Sequence, residues 1–481
     1  MDSFFDADRV FEVLHGFNPW WAGGEPSVPT FRRVAYHTCR RYYDNPAFRR
    51  AVLLSGARRV GKTTVLMQVA VSLVREGADP RSVFYLSLDH PVVKLLTLPE
   101  LLKRYHERIY PEGRPVALLL DEVQYARDWD LELKQLVDRK PDYRILATGS
   151  SSLVQAGGLT ESGVGRWLRV PMPTLSFFEF LHIRDEAPSN IPAQLRTTDL
   201  FGAPQEELRR LGAQFRPLMP LFRRYLLVGG FPETARMEDI VLCQRLLRED
   251  VVERVLRRDM AAVFRIRKIE DLERLFLYIC LHTGSILSIQ KCAAALQTTA
   301  TTVSNYLDVL EQANLIYRLQ PAALGGKKRL KARRKVYLVD AALRNAVLLR
   351  GEEILTDAGE MGTIVETTVL RHLFAFHYPD APDIVYWRDS ASDKEVDIIV
   401  RSPRYVLPVE VKYHTSAPLD QDEGIVRYCR HEDVRYAYWV TQREEDFDVM
   451  EFRGLDTKFL RIPAHIFVYV LGQAEQPSGT Q

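Results

Sequence analysis

The chain has few cysteines, no long apolar run and almost no net charge. Its 481 residues include five scattered cysteines and no C-x-x-C pair, which argues against a disulfide framework or a zinc site and suits a reducing cytosol. Apolar residues make up 46% of the chain, yet no apolar run approaches the roughly 20 residues that a membrane span needs. Because the net charge is only +2, any surface that attracts nucleic acid must be local.

Residues 1–8 lack the features of a secretory leader. The segment is acidic and has neither a basic start nor an apolar stretch, so we expect a cytoplasmic protein without a membrane partner. A chain of this length is expected to form about three domains, each with its own core.

A glycine-rich stretch at residues 56–63 matches the phosphate-loop pattern G-x-x-x-x-G-K-[ST] at every fixed position. An apolar run suited to a buried strand precedes it, and apolar residues at helical spacing follow it. We expect Lys62 to lie along the β- and γ-phosphates and the Thr63 hydroxyl to take one Mg²⁺ position. The alternative is a glycine turn with an incidental lysine. The predicted ATP contacts are Gly56, Ala57, Arg58, Arg59, Val60, Gly61, Lys62, Thr63 and Thr64.

Residues 116–120 form an apolar run that ends in Asp121 and Glu122. A continuous apolar run indicates a buried parallel strand, and ligands lie beyond the carboxyl ends of such strands. We predict that Asp121 orients Mg²⁺ and that Glu122 activates or positions the water that attacks the γ-phosphate. The alternative is a strand with solvated acidic residues at its exit.

Further apolar runs complete the predicted nucleotide domain. The run at 143–147 leads into the polar stretch 148–152, from which a side chain is placed to contact the γ-phosphate through a hydrogen bond. Arg166 lies among glycines and is predicted to reach the γ-phosphate of a neighbouring subunit as an arginine finger. The alternative for Arg166 is an ordinary exposed arginine. With another strand at 82–89, these runs predict a doubly wound parallel α/β domain.

Several stretches share their pattern with one known family: residues 18–21, 58–63, 85–91, 120–124, 128–129, 148–151, 161–166 and 229–233. They resemble a prokaryotic AAA-type ATPase family, whose members carry an ATPase core and a conserved C-terminal region of uncertain function. The resemblance implies an AAA+ core that uses ATP and Mg²⁺. It implies the roles already described for five residues: Lys62, Thr63, Asp121, Glu122 and Arg166. It also implies a homo-oligomeric ring, hexameric in form, because an arginine finger acts on a neighbouring copy.

Residues 269–339 are predicted to form a winged helix of three helices and two strands. Apolar spacing indicates the first helix, a serine cap begins the second, and residues 297–300 separate the second from the third. The third helix would enter the major groove of DNA. Its groove-facing residues would be Thr301, Thr302, Ser304 and Asn305.

The two strands bracket a stretch with seven basic residues in eleven, at 325–335. A basic turn between strands suits a wing that contacts the phosphate backbone of DNA. The alternatives are a winged helix that docks protein as a lid and a solvated basic face. The predicted DNA contacts are Lys327, Lys328, Arg329, Lys331, Arg333, Arg334 and Lys335.

Three carboxylates and a lysine follow with the spacing of a nuclease. Glu366 lies on a predicted helix, Asp397 on a strand, and Glu410 and Lys412 on the same face of the next strand. The order resembles the PD-(D/E)xK nuclease fold, which implies a Mg²⁺ site on Glu366, Asp397 and Glu410, with Asp397, Glu410 and Lys412 catalytic. The alternatives are a structural Glu–Lys pair and a nuclease fold that binds DNA without cutting it.

These predictions give a chain of five parts. They are an N-terminal segment (1–45), an AAA+ core (46–185), a helical lid or connector (186–268), a winged helix (269–345) and a nuclease-like α/β domain (346–481). We expect ATP hydrolysis in a ring to drive movement on DNA or its remodelling, with branched, Holliday-junction-like DNA as the preferred substrate. The alternatives are a nucleotide-dependent signalling or defence switch that docks proteins, and an ATP-gated nuclease without motor activity.

Overall fold

The computed structural model describes residues 7–149, 165–260, 266, 268–322, 333–389 and 392–477. The chain divides into two compact units, Met1–Met172 and Pro173–Gln481. Within the described ranges, no helix is both long enough and apolar enough to cross a membrane.

The first unit is built on a five-stranded sheet in the order β2-β3-β4-β1-β5. All four neighbouring pairs are parallel, so the carboxyl ends of the strands meet at one edge of the sheet. This confirms the predicted parallel α/β fold, which is typical of P-loop AAA+ proteins. The strands are β1 (Ala51–Ser55), β2 (Val83–Ser87), β3 (Val116–Asp121), β4 (Tyr143–Gly149) and β5 (Trp167–Pro171). The helices are α1 (Ala7–Phe17), α2 (Val34–Tyr43), α3 (Lys62–Arg75), α4 (Leu98–Arg108) and α5 (Trp129–Arg139).

The N-terminal segment covers the edge strand β2. The Asn18 amide donates to the carbonyl of Tyr85 at 2.9 Å and accepts from the N–H of Tyr85 at 2.7 Å. The indole N–H groups of Trp20 and Trp21 both donate to the carbonyl of Val83. An edge strand exposes unpaired backbone groups, and these three buried side chains satisfy them much as a further strand would.

The second unit contains twelve α-helices within its described residues. Leu247–Glu253 and Val255–Asp259 are π-helical segments that follow α10. Helix α17 is buried on all sides from Ala464 to Gln473, as expected for a helix that is apolar all round. The helices are α6 (Phe177–Ile183), α7 (Gln205–Phe215), α8 (Met219–Val228), α9 (Pro232–Ala235), α10 (Ile240–Leu246), α11 (Ile269–His282), α12 (Ile289–Leu296), α13 (Ala300–Gln312), α14 (Ala341–Leu348), α15 (Ala358–His377), α16 (Gly424–His431) and α17 (Ala464–Ala474).

A nine-stranded sheet runs through this unit in the order β13-β14-β12-β11-β10-β9-β7-β8-β6. Its strands are β6 (Ser285–Ile286), β7 (Ile316–Pro321), β8 (Lys335–Leu338), β9 (Asp383–Arg388), β10 (Glu395–Ser402), β11 (Tyr405–Lys412), β12 (Tyr436–Thr441), β13 (Asp448–Glu451) and β14 (Lys458–Pro463).

The strands predicted for a winged helix and those predicted for a nuclease-like domain belong to this one sheet. Helices α11, α12 and α13 precede β7 and β8 in the order expected of a winged helix. Strand β7 then pairs in parallel with β9, where Gln320 faces Val385 and Pro321 faces Tyr386. The pairing brings the end of the basic stretch, at Lys335, into the same sheet as Asp397 and Glu410.

Candidate nucleotide site and acidic cluster

The loop between β1 and α3 has the backbone that a phosphate loop requires. Gly61 has φ of 97° and precedes α3, and Arg59 also has a positive φ, of 62°. A Cβ on Gly56 would lie 2.1 Å from the carbonyl oxygen of Met172, so only glycine fits there. Because α3 begins at Lys62, its first backbone N–H groups and the positive end of its dipole face the loop.

The Lys62 side chain is buried within this loop. Only 5% of the residue is exposed, and its ammonium donates to the carbonyl oxygens of Gly56 at 3.1 Å and Ala57 at 3.0 Å. The loop therefore holds a fixed positive charge against its own backbone, which suits the binding of an anion.

Thr63 and Asp121 meet at the carboxyl end of β3. The Thr63 hydroxyl donates to Oδ2 of Asp121 at 2.7 Å, and Asp121 is 3% exposed. A hydroxyl and a carboxylate are the hard oxygen ligands that Mg²⁺ prefers. The residues present therefore fit the Mg²⁺ that the AAA+ resemblance implies.

Two further side chains hold the Asp121 carboxylate. Thr148, at the end of β4, donates to Oδ1 of Asp121 and accepts the backbone N–H of Glu122 at 3.0 Å. Tyr85, on the neighbouring strand β2, donates to Oδ2 of Asp121 at 3.0 Å. Burial, followed by the charge of Asp121, raises the pKa of the Tyr85 phenol, so this group stays a donor.

Glu122 is held beside Asp121 by an unusual backbone. Its φ is 54°, in the left-handed region that side chains other than glycine rarely adopt. Its carboxylate accepts the amide N–H of Gln124. These contacts hold Glu122 at the residue that follows β3. This is the position at which the sequence predicts the group that orients the attacking water.

Arg166 lies immediately before β5, at the opposite edge of the sheet from β2. Its guanidinium is 3.2 Å from Oδ1 of Asp138 in the same unit, and its side chain is 38% exposed. The preceding residues 150–164 lie outside the described residues. The arginine-finger role therefore stays a prediction.

In the second unit, the predicted nuclease-like residues come together. The backbone N–H of Asp397 donates to Oε2 of Glu410 at 3.2 Å, and the N–H of Val411 donates to Oδ2 of Asp397 at 3.1 Å. The Lys412 ammonium lies 2.6 Å from Oε1 of Glu410. Glu366, on α15, joins them through a shared partner, Lys335.

Lys335 is the residue that sequence reasoning misplaced. It is 1% exposed, and its ammonium lies 3.1 Å from Oδ1 of Asp397 and 3.4 Å from an oxygen of each of Glu366 and Glu395. The prediction of Lys335 as a DNA contact is wrong, because this charge is buried against carboxylates. Its partners lie 31 and 62 residues further along the chain, at Glu366 and Asp397, so no local pattern indicates the pairing.

Burial shapes the protonation of this cluster. Burial, and then the charge of Asp397, raises the pKa of Glu366 to about 7 and that of Glu410 to about 8. Burial alone would lower the pKa of Lys412, but Glu410 and Asp397 raise it above its ordinary value. The pKa of Lys335 is raised in the same way against burial, by Tyr337 and then by the carboxylates. Both lysines are therefore ammonium ions.

The Mg²⁺ predicted on Glu366, Asp397 and Glu410 does not fit this arrangement. Across the described part of the chain, no three or more His, Cys, Asp or Glu side chains are placed to hold a metal ion. The Lys335 ammonium lies against Glu366 and Asp397 instead, and the Lys412 ammonium lies against Glu410. The predicted ligand set is thus corrected to a carboxylate–lysine cluster.

The predicted DNA-contacting residues fall into two groups. Thr301 and Asn305 are exposed on α13, and Thr302 and Ser304 are half-buried. Of the basic stretch, Arg333 is exposed and Arg334 half-buried. Lys327, Lys328, Arg329 and Lys331 lie outside the described residues.

Three family models match successive parts of the chain. Residues 48–181 match the model described as an AAA domain. Residues 219–353 and 361–463 match two models described as domains of unknown function, DUF8612 and DUF4143. The second and third matches cover most of the second unit.

Similar proteins occur in bacteria and archaea. An uncharacterized protein of Haemophilus influenzae is 26% identical over 370 residues, which is 75% of this chain and 82% of that protein. An uncharacterized protein of Methanocaldococcus jannaschii is 27% identical over 347 residues, 70% of each. The AMPPCP-bound DnaA structure from Aquifex aeolicus is 18% identical, covers 60% of this chain and 90% of that one, and has a TM-score of 0.25, too low for a conclusion. The chain therefore carries an AAA domain, built on the parallel sheet at which Lys62, Thr63 and Asp121 meet, and this domain precedes two domains of unknown function.

Proposed function

We propose that this chain binds ATP with Mg²⁺ at the loop of residues 56–64 and hydrolyses it. The observation that carries the proposal is the contact of Thr63 with Asp121 at 2.7 Å, beside a loop that already holds the Lys62 ammonium. A hydroxyl, a carboxylate and a fixed cation at the start of a helix are the groups that a triphosphate and its magnesium need.

Each side chain has its own task in this proposal. Lys62 neutralises the β- and γ-phosphates, and Asp121 with Thr63 holds the cation site. Glu122 accepts a proton from the attacking water or orients it, since its backbone is fixed by Thr148 and its carboxylate by Gln124. When bound, Mg²⁺ supplies positive charge to the phosphate oxygens as negative charge develops on them.

A second part of the proposal is that copies of the chain assemble into a ring, a hexamer in the simplest form. Arg166 then leaves Asp138 and reaches the γ-phosphate of the neighbouring copy. Its position at the sheet edge and its partly exposed side chain support this role.

We further propose that the second unit grips DNA, with branched DNA as the preferred form. Support comes from the winged-helix-like order of helices and strands, from the exposed Thr301 and Asn305 on α13, and from the basic residues that lead into β8. Basic residues on a wing bind phosphates and make binding dependent on salt. ATP turnover in the ring would then move or remodel the bound DNA.

A second candidate is a nucleotide switch whose second unit docks a protein. Helix α13 has no lysine or arginine, and its Asp308 and Glu311 hold Arg318. Leu277 and Leu281, four residues apart on α11, are 42% and 57% exposed. An exposed apolar pair on one helix face favours a protein partner.

The rate of ATP turnover with and without DNA separates the two candidates. The assay uses the full chain with single-stranded, duplex and four-way-junction DNA at two salt concentrations, and Lys62→Ala as the inactive control. A DNA motor requires stimulation that is greatest with the junction and weaker at high salt. Turnover that is present but indifferent to all three DNAs would reject the motor and favour the protein-docking switch.

A further inference from the structure

The acidic cluster of the second unit consists of Glu366, Glu395, Asp397 and Glu410 and contains the ammonium of Lys335. We propose that Lys335 is the resident cation of this cluster and keeps divalent metal ions out, so that the nuclease-like part holds nucleic acid without cutting it. The metal part of this inference stands on the cluster alone, and the nucleic-acid part rests on the proposed function.

The oxygens of the two central carboxylates are already occupied by donors. Asp397 receives Lys335 on Oδ1 at 3.1 Å and the N–H of Val411 on Oδ2 at 3.1 Å. Glu410 receives Lys412 on Oε1 at 2.6 Å and the N–H of Asp397 on Oε2 at 3.2 Å. A metal ion bound by both side chains would have to compete with an ammonium or with a backbone N–H at every one of these oxygens, because Mg²⁺ and Mn²⁺ need carboxylate oxygens as direct ligands.

The charges explain why an ammonium is held here. Four carboxyl groups face two ammonium groups, those of Lys335 and Lys412. Buried carboxylates without a nearby cation are costly. Lys335 therefore supplies the charge that a metal ion supplies in the nuclease fold that the sequence resembles, and it comes from β8, outside the set of nuclease-like strands.

The surroundings fix Lys335 in this role. Its residue is 1% exposed, and it lies 6.0 Å from the centre of the Tyr386 ring. Tyr337, two residues further along β8, donates to Oε1 of Glu366 at 2.5 Å. The same strand thus places both a cation and a hydroxyl on Oε1 of Glu366, where both compete with a metal ion.

Manganese binding by the full chain tests the proposal. Free Mn²⁺ is measured by electron paramagnetic resonance for the wild type, Asp397→Asn, Lys335→Met, and the double variant. We expect the wild type and Asp397→Asn to bind the same amount of Mn²⁺. We expect Lys335→Met to bind one additional Mn²⁺ per chain and the double variant to lose it. Asp397→Asn does not change the phosphate loop. A difference in bound Mn²⁺ between a protein with Asp397 and its Asp397→Asn counterpart therefore reports binding at the acidic cluster alone.

Two results would overturn the proposal: Mn²⁺ binding by the wild type that is lost in Asp397→Asn, and a folded Lys335→Met that gains no Mn²⁺. Lys335→Arg keeps the positive charge, so we expect this variant to bind no additional Mn²⁺. If circular dichroism shows that Lys335→Met does not fold, the Mn²⁺ bound by the wild type and by Asp397→Asn still tests whether the cluster excludes metal ions. The wild type in Mn²⁺ should also leave a supercoiled plasmid intact, and nicking that disappears in Asp397→Asn would contradict the proposal. None of these variants changes a residue of the phosphate loop. The manganese results would therefore remain interpretable even if the chain failed to bind ATP.

Discussion

The phenol of Tyr85 donates to Oδ2 of Asp121 at 3.0 Å, the same oxygen that accepts the Thr63 hydroxyl at 2.7 Å. Tyr85 is itself held at its backbone by Asn18, which pairs with both its N–H and its carbonyl. A chain of contacts thus leads from the N-terminal segment through an edge strand to the carboxylate proposed to hold magnesium. Tyr85 acts as a positioning residue for Asp121.

The first prediction follows from this contact. Tyr85→Phe removes the hydroxyl and leaves the ring, so Asp121 loses one donor and part of its orientation. We expect the Mg²⁺ concentration for half-maximal ATP turnover to rise about tenfold, with the affinity for ATP without Mg²⁺ unchanged. Tyr105→Phe is the matched control, because its hydroxyl donates to the carbonyl of Arg81 away from the site. An unchanged Mg²⁺ requirement in Tyr85→Phe would reject the positioning role.

The second prediction concerns Thr148, which links Asp121 to the backbone of Glu122. Thr148→Val keeps the shape and removes the hydroxyl, and we expect turnover to fall about 10- to 100-fold while ATP still binds. Thr148→Ser keeps the hydroxyl and should retain most of the activity. Turnover is measured by phosphate release and binding by calorimetry. Equal rates for the valine and serine variants would show that the hydroxyl has no part in turnover.

The third prediction tests whether Arg166 acts on a neighbouring copy. Arg166→Ala alone and Lys62→Ala alone should both be inactive. When the two are mixed, some sites combine an intact loop from one copy with an intact arginine from the next, so part of the turnover should return. Lys140→Ala, which removes an exposed pair with Glu112 in the same unit, is the control and should be fully active alone. A mixture as inactive as its components would contradict the role in trans.

The fourth prediction is a pH dependence of stability. Glu366 and Glu410 have pKa values near 4.5 when exposed, and burial raises them to about 7 and about 8 in the folded chain. The folded chain therefore binds these protons more tightly than the unfolded chain. Their stabilising contribution is complete below about pH 4.5. It is lost as the pH rises from there through the folded-state pKa values of about 7 and about 8.

Urea unfolding at pH values from about 5 to about 8 measures this effect. Glu410→Gln should remove about half of the fall in unfolding free energy that the two carboxyls cause over this range. Glu206→Gln, at an exposed glutamate on α7, should leave the fall unchanged. A Glu410→Gln variant with the same pH dependence as the wild type would show that this carboxyl does not take up its proton on folding.

The nucleotide site was predictable because its signals are local. The loop of residues 56–63, the two carboxylates at the end of β3 and the polar stretch at the end of β4 each lie next to an apolar run that can be read from the sequence. Parallel strands then bring their carboxyl ends to one edge without further information. Thr63, Asp121 and Thr148 meet as that reasoning requires.

Tyr85 and Lys335 escaped sequence reasoning for a shared reason. The role of Tyr85 depends on β2 lying beside β3, and a tyrosine in an apolar strand looks like an ordinary core residue. The role of Lys335 depends on β7 pairing with β9, which rests on two residue pairs. A basic run before a strand looks like an exposed wing. Its last member is buried because the carboxylates that hold it come from distant parts of the chain.

Calorimetry of ATP binding in the presence of Mg²⁺ tests the central claim most directly. The wild type should bind one ATP per chain, Glu122→Gln should bind it without turnover, and Lys62→Ala should give no heat of binding. Equal binding by the wild type and Lys62→Ala, or no binding by a folded wild type, would contradict the assignment of residues 56–64 as the triphosphate site.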